Sequence, residues 1–285
     1  MGLITTGLII GGLSTFGYSL YKKHFINSFI NKVYINRSDN NAFLDLCSSF
    51  EVEEHTLEAF DETKLYSYIS KTHNCNNYIM YIHGYSFKTN DMSNIAKGFE
   101  ELGYNSIFIK NRDFCTYGIK ESIDIIEWIS YYVNLNKDIN LTILAEKDGA
   151  SYLIKALNSK LPHNVKSVII DDLKEDYLFD LINEYCVEND IKNHKKFLKE
   201  LDLELKNRLN LSILETNIDK SLKNNTIPIV FVYSHVRPNL NYKNVLKIYN
   251  QNLGIKKFFY TNCLDRNYLY KNYFMTLDGF IKNYL

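Results

Sequence analysis

The stretch LTILAEKDGASYLIKAL, residues 141–157, decides the fold because it joins a strand directly to a helix. Its first half is a short apolar run, which is typical of a buried strand. In its second half the apolar side chains return at helical spacing. The chain must therefore change from strand to helix within a few residues of Lys147.

The same alternation extends outward from this stretch through residues 50–285. Short apolar runs alternate with amphipathic helical stretches, which predicts an α/β domain with a mostly parallel sheet flanked by helices. Residues 50–60 and 64–70 are predicted to open the sheet as an antiparallel pair. The strand signal stops over residues 173–225, where helical patterns predict an insertion that covers one end of the sheet.

The composition is that of a globular protein, with 285 residues, 46% of them hydrophobic and 23% charged. Lysine plus arginine and aspartate plus glutamate both number 33, and this balance argues against nucleic-acid binding. The five cysteines include no Cys-x-x-Cys pair, which argues against a disulfide framework and favours a reducing compartment. No metal-ligand cluster or glycine-rich phosphate loop is present, so we expect no metal and no cofactor.

The N-terminus carries twenty residues without a charged side chain, from Gly2 to Tyr21. As a helix this run would be about 30 Å long, which matches the hydrocarbon core of a bilayer. We therefore expect residues 1–24 to form a single-pass transmembrane anchor and residues 25–49 to form a juxtamembrane connector. Lys22 and Lys23 flank the run on its C-terminal side, which predicts a cytoplasmic location for the large domain.

Three stretches, taken in their order and spacing, resemble the α/β-hydrolase family, and in particular its membrane-anchored members related to serine aminopeptidases. Residues 78–114 follow the family's order of strand, His-Gly turn, helix, Gly-Tyr and strand. Residues 117–134 are similar to its Gly-x-x-Glu-x-x-Asp-x-x-x-Trp-Ile helix, and residues 227–238 to its proline-initiated strand before the acid loop. This resemblance covers about residues 50–285 and implies a catalytic centre at the carboxyl ends of the strands.

The family's catalytic serine, acid and histidine positions all carry other residues in this chain. The family places its serine in a Gly-x-Ser-x-Gly turn, where small residues let the backbone fold back tightly. Here Ala145 and Gly149 take the small-residue positions, and Lys147 stands at the nucleophile position. The same comparison puts Arg237 at the acid position and Arg266 at the histidine position. The resemblance thus predicts a degenerate catalytic triad.

The resemblance also implies a loop that would stabilise an oxyanion. The loop contains His83, Gly84 and Tyr85, and the hole would be formed by the backbone amides of Tyr85 and Asp148. An Asp148 carboxylate that pointed inward would repel an oxyanion. Gly149 completes this set of pocket residues.

We therefore expect a membrane-tethered hydrolase-like protein that is catalytically inactive, a pseudohydrolase, and that acts by binding a ligand or partner. Lys147, Arg237 and Arg266 would suit an anionic small molecule or a lipid head group. The other interpretation of these three residues, and the one favoured by the sequence, is drift on a lysine-rich background, with Asp148 and Asp265 neutralising the cluster or with the side chains pointing to solvent. Two alternatives stay open at this point. One is an active serine hydrolase of the esterase, lipase or peptidase type with an unconventional site, and the other is a structural or partner-binding membrane scaffold. The sequence identifies no protein partner.

Overall fold

The computed structural model describes residues 17, 20–35, 48, 50–85, 89–175, 177–234, 242–261 and 270–285. Within these ranges eight strands form one sheet in the order β1-β2-β4-β3-β5-β6-β7-β8. The strands are β1 Glu53–Glu58, β2 Lys64–Ser70, β3 Asn77–Ile82, β4 Asn105–Ile109, β5 Asn140–Glu146, β6 Val165–Asp171, β7 Ile229–Ser234 and β8 Lys256–Thr261.

The sheet is mixed, with an antiparallel beginning and a parallel remainder. Strand β2 pairs antiparallel with both β1 and β4, while β4, β3, β5, β6, β7 and β8 pair parallel in succession. Strands β3 and β4 are almost wholly buried, as parallel strands covered on both faces must be. The predicted α/β fold with a mostly parallel sheet and the predicted antiparallel opening pair are both confirmed.

Seven α-helices follow β1 in the described part of the chain. They are α1 Thr89–Glu101, α2 Glu121–Leu135, α3 Lys147–Ala156, α4 Tyr177–Glu188, α5 His194–Leu209, α6 Tyr242–Gln251 and α7 Tyr270–Lys282. Residues of α2, α3 and α6 share one hydrophobic cluster with the sheet, and residues of α1 and α7 share a second cluster on the other face. The sheet is therefore covered by helices on both sides.

The helical insertion lies between β6 and β7, as the sequence predicts. It contains α4, α5 and a 3₁₀ turn, Ile213–Thr216, which together we call the cap. The cap follows the carboxyl end of β6, and β6 runs parallel to β5. The cap therefore lies at the same edge of the sheet as the strand-to-helix turn at Lys147, which follows the carboxyl end of β5.

A helix that precedes the sheet packs against the cap. This N-terminal helix consists of a π-helical turn, Lys22–Ile26, an α-helical turn, Asn27–Ile30, and a second π-helical turn, Asn31–Ile35. Five of its side chains are at most 3% exposed and share a hydrophobic cluster with α4 and α5: Ile26, Phe29, Ile30, Val33 and Tyr34. The segment expected to be a juxtamembrane connector with some helical character therefore also contributes to the core of the cap.

Two tyrosines fix the position of the N-terminal helix. The Tyr185 hydroxyl donates a hydrogen bond to the Phe25 carbonyl at 3.0 Å, and the Tyr117 hydroxyl donates to the Val33 carbonyl at 2.8 Å. The Phe29 ring also meets the Tyr185 ring edge-on at 5.1 Å. These contacts hold both ends of the helix against the domain.

The described residues contain no helix that is long and apolar enough to cross a membrane. Residues 1–16, 18 and 19 of the expected anchor lie outside the described residues. The predicted transmembrane segment therefore remains a prediction from the sequence.

Candidate functional site

The turn at Lys147 has the backbone geometry that a strand-to-helix elbow requires. Strand β5 ends at Glu146 and helix α3 begins at Lys147, whose φ of 53° lies in the left-handed region. This conformation costs a non-glycine residue on the order of 1–2 kcal/mol. A Cβ atom on Gly149 would lie 2.7 Å from the His83 carbonyl carbon, so only glycine fits this position. The elbow therefore lies where the sequence predicts it.

The side chain at the tip of this elbow is a cation beside a buried carboxylate. The Lys147 Nζ atom lies 3.9 Å from Oε1 of Glu146, whose side chain is 1% exposed. The Lys147 carbonyl accepts a hydrogen bond from the Lys174 amide at 3.1 Å, which ties the elbow to the start of the cap. The tip of this turn, where the resemblance would place a serine, carries a lysine.

The carboxylate of Asp148 points inward, toward the loop that would bind an oxyanion. Its Oδ2 atom accepts a hydrogen bond from the Tyr85 backbone amide at 2.7 Å and a second from the Tyr152 hydroxyl at 2.9 Å. Asp148 has no exposed surface. One of the two amides expected to stabilise an oxyanion therefore already donates to a carboxylate within the protein.

The close approach of the Asp148 carboxylate to the backbone of the loop depends on Gly84. A Cβ atom on Gly84 would lie 2.0 Å from the Asp148 carboxyl carbon, so a larger residue would displace the carboxylate. Burial, followed by the nearby Asp148 charge, raises the pKa of Tyr152 well above its usual value, so this hydroxyl stays protonated as a donor. The position of the Asp148 carboxylate therefore depends both on the small size of Gly84 and on the hydrogen bond from Tyr152.

His83 shapes the loop from within. The side chain is 6% exposed, and its Nδ1 atom lies 3.2 Å from the Asn111 side-chain amide. That amide also donates to the His83 carbonyl at 2.8 Å. These contacts fix the loop between β3 and α1 against the end of β4.

Two further carboxylates, which the sequence analysis did not single out, lie at the carboxyl end of β6. Asp171 pairs in register with Glu146 of β5 and accepts a hydrogen bond from the Tyr273 hydroxyl at 2.7 Å. Asp172 is buried and has a φ of 60°, a second left-handed residue in this region. The described surroundings of Lys147 therefore contain more negative than positive charge. In the sequence, the adjacent Asp171 and Asp172 at the end of a buried strand could have indicated these two carboxylates.

Ser151 lies one helical turn beyond the elbow, as the sequence indicates. Its hydroxyl donates a hydrogen bond to the Lys174 carbonyl at 2.7 Å. Arg237 and Arg266, the residues at the expected acid and histidine positions, lie outside the described residues. In the described ranges no group of three or more His, Cys, Asp or Glu side chains could hold a metal ion.

A buried ionic network supports the loop from below. Arg112 contacts Asp124 through its Nε and Nη2 atoms, and its Nη1 atom donates to Asp61 at 2.7 Å. Lys120 also donates to Asp61 at 2.7 Å. Burial alone would raise the pKa of Asp61, but hydrogen bonds from Arg112, Lys120 and Thr63 lower it well below its usual range. This network joins the β1–β2 turn to the end of β4 and to α2.

Glu121 connects this network to the loop. Its carboxylate accepts hydrogen bonds from the amides of Thr116 and Gly118 at 2.7 and 2.8 Å, and from the Tyr85 hydroxyl at 3.2 Å. Glu121 and Asp124 are the acidic residues of the Gly-x-x-Glu-x-x-Asp pattern in residues 118–124. Their contacts show a structural use of that pattern, which is to hold the residues around Tyr85 in place.

Comparison with solved structures gives many similar folds at low sequence identity. An esterase from Pyrococcus furiosus superposes with a TM-score of 0.64 at 14% identity, covering 85% of this chain and 93% of that chain. An esterase domain from Rhodothermus marinus gives 0.57 at 11% identity, covering 82% and 99%. A CIB-like hydrolase from Thermoplasma acidophilum gives 0.51 at 13% identity, covering 82% and 99%.

No protein-family model matches the sequence, and no curated protein matches it either. The structural similarity therefore establishes the fold alone. The chain has the α/β-hydrolase fold, with a helical cap and with a lysine at the tip of its strand-to-helix elbow.

Proposed function

We propose that this protein is a pseudohydrolase that works by binding rather than by hydrolysis. The observation that carries this proposal is the Asp148 carboxylate, which accepts the Tyr85 amide 2.7 Å away, at the position where an oxyanion would need that donor. Lys147 at the elbow supports the proposal because a protonated amine cannot replace an activated serine hydroxyl.

Electrostatics explains why the two features reinforce each other. Acyl transfer places a negative charge on the substrate oxygen, and preorganised amides stabilise that charge. A buried carboxylate at the same amide would instead repel it. Recovery of hydrolysis would therefore require the loss of the Asp148 carboxylate as well as a new nucleophile, base and acid.

Ester hydrolysis is the second candidate. The solved structures named above favour it, because two of them are described as esterases and the third as a hydrolase. An active site in this chain would need another nucleophile and another base, and Ser151 and His83 are the candidates that we would test. Use of Ser151 would require its hydroxyl to leave the Lys174 carbonyl.

A fluorophosphonate probe and a short-chain aryl ester distinguish these functions. We expect the full-length protein to show neither labelling nor hydrolysis above the background rate, and Lys147→Ser alone to restore neither. Labelling that disappeared in Ser151→Ala but persisted in Ser130→Ala would instead establish the hydrolase. Ser130 is a suitable control because it lies on α2 and donates to the Ile126 carbonyl.

The proposed ligand is an anion: a phosphate, a carboxylate or an anionic lipid head group. This class follows from Lys147, Arg237 and Arg266, which the sequence resemblance places together. The buried carboxylates of Glu146, Asp148, Asp171 and Asp172 oppose that charge, so binding should depend on both arginines. Thermal unfolding with inorganic phosphate at constant ionic strength tests this ligand. A shift that persisted in the Arg237→Ala, Arg266→Ala variant would contradict it.

A membrane tether through residues 1–24, with the large domain in the cytoplasm, is part of the same proposal. The uncharged run and the two lysines that follow it support the tether. A scaffold without a small-molecule ligand is the remaining alternative, and it predicts no stabilisation by any anion.

A further inference from the structure

The start of α5 carries a cluster of exposed basic side chains, which we call the basic patch: Lys192, His194, Lys195, Lys196 and Lys199. Among the described residues, no carboxylate lies within ion-pair distance of the four lysines. The nearest acidic residues in sequence are Glu188, which pairs with Lys32 at 3.3 Å, Asp190 and Glu200. The patch therefore keeps a net positive charge.

The basic patch lies beside the point where the N-terminal helix leaves the domain. The Lys196 Nζ atom is 5.8 Å from the centre of the Tyr21 ring, and Leu20 is 52% exposed. Tyr21 and Leu20 are also the last residues of the uncharged run that we propose as a membrane anchor. Tyrosine is enriched at membrane interfaces, so this position is appropriate for a residue at the head-group level.

The helix that follows Tyr21 is packed against the cap. Phe29 has no exposed surface, and the Phe25 carbonyl accepts the Tyr185 hydroxyl. In the described part of the chain, the helix runs without a break from Leu20 into the segment that packs on the cap, so an anchor in the bilayer would hold the start of α5 at the membrane surface.

We infer that the basic patch docks on anionic lipid head groups and orients the cap toward the membrane. The inference rests on the proposed tether. Anionic lipids attract juxtamembrane lysines within a Debye length of the surface, and each lysine strengthens binding by a factor of about five. Since the cap lies over the carboxyl end of the sheet, this orientation brings the candidate site to the bilayer side of the domain.

The test uses the full-length protein in nanodiscs of phosphatidylcholine, with or without phosphatidylserine. Acetylation of individual lysines is followed by mass spectrometry. We expect Lys195 and Lys196 to react about five times more slowly when phosphatidylserine is present, an effect that high salt removes. Lys137, an exposed residue just before the amino end of β5, should react equally in both.

The variant Lys195→Glu, Lys196→Glu should abolish the phosphatidylserine-dependent protection of Lys192 and Lys199. Acidic residues in the first turn stabilise a helix, so this variant should remain folded. The control Lys137→Glu, Lys160→Glu changes the same charge on exposed lysines of the main domain and should leave the protection unchanged. Equal reactivity of Lys195 and Lys196 in both nanodiscs, or equal loss of protection in the two variants, would overturn the inference.

A failed tether would give a different result. The protein would then not remain in nanodiscs of either composition, and the same labelling would be done with added phosphatidylserine vesicles. Protection of Lys195 and Lys196 by these vesicles would support the basic patch even though the tether was wrong, and unchanged reactivity would refute the patch as well.

Discussion

Asp148 determines what the centre of the molecule can do, because one carboxylate satisfies two buried donors. The Tyr85 amide and the Tyr152 hydroxyl both donate to it. A buried donor that loses its partner costs about 1–3 kcal/mol. Asp148 therefore contributes to stability at the same place where we propose that it opposes hydrolysis.

We predict that Asp148→Ala lowers the free energy of unfolding by roughly 2–6 kcal/mol, because both donors lose their acceptor. Tyr152→Phe removes one hydrogen bond to a charged group and should cost about 1.5–3 kcal/mol. Urea unfolding of the full-length protein in detergent micelles measures both. Asp138→Ala, at an exposed turn, is the control and should change the value by at most about 0.5 kcal/mol. An Asp148→Ala protein as stable as this control would contradict the structural role.

The turn between β1 and β2 depends on a charge that pH can remove. Hydrogen bonds from Arg112, Lys120 and Thr63 outweigh burial and lower the pKa of Asp61 below its unfolded value, which is about 4. The stabilisation by Asp61 is thus fully present above about pH 4 and is lost as the pH falls through the lower, folded value.

We predict that Asp61→Asn destabilises the protein by about 1–3 kcal/mol at neutral pH and that this difference shrinks as the pH falls below about 4. Urea unfolding at a series of pH values measures the effect. Asp113→Asn is the matched control, because Asp113 is 73% exposed and lies 3.6 Å from Lys110. A pH-independent cost of Asp61→Asn would mean that the charge of Asp61 plays no part.

The N-terminal helix behaves as an element of the cap rather than as a connector. Its π-helical turns are rare conformations, and a short helix is marginal without tertiary contacts. Packing against α4 and α5 must therefore supply most of its stability.

We predict that Phe29→Ala destabilises the cap by about 3–5 kcal/mol, the usual cost of removing a buried phenylalanine ring. Hydrogen exchange of α4 and α5 should accelerate, while exchange in β3 and β5 should change little. Ser28→Ala is the control on the same helix, because Ser28 is exposed. A similar response to both substitutions would show that the helix is only loosely attached.

At the scale of the whole molecule, the proposed anchor determines the orientation of the domain. We predict that the full-length protein resists extraction by alkaline carbonate and that external protease does not remove the domain from intact cells. Both outcomes follow from an uncharged run with lysines on its C-terminal side only. Extraction by carbonate would refute the anchor. Digestion of the domain by external protease would show that the domain lies outside the cell, which is the opposite of the proposed orientation. Deletion of residues 2–19 is the matched control and should make the protein extractable.

The sequence predicted the sheet and the elbow because their signals are local. Apolar runs of strand length alternate with helical patterns, and Gly149 has the size that the turn requires. The direction of the Asp148 side chain depends on Gly84 and Tyr85, some sixty residues away, and a pattern within one segment cannot give it. The spacing of Ile26, Phe29, Ile30 and Val33 did contain the signal of a buried helix face, but the adjacent apolar run drew the interpretation toward a membrane connector.

The docking of the N-terminal helix also sets the timing of folding during synthesis. Phe25 and its partner Tyr185 are 160 residues apart, so the helix leaves the ribosome long before α4 and α5 exist. At a synthesis rate of about 5–20 residues per second, the apolar face of the helix would lack its packing partners in α4 and α5 for roughly 8–32 s. Insertion of the preceding residues into a membrane during that interval would hold the helix in place near the growing chain. Early release into bulk water would instead leave Phe29 and its neighbours available to chaperones or to aggregation.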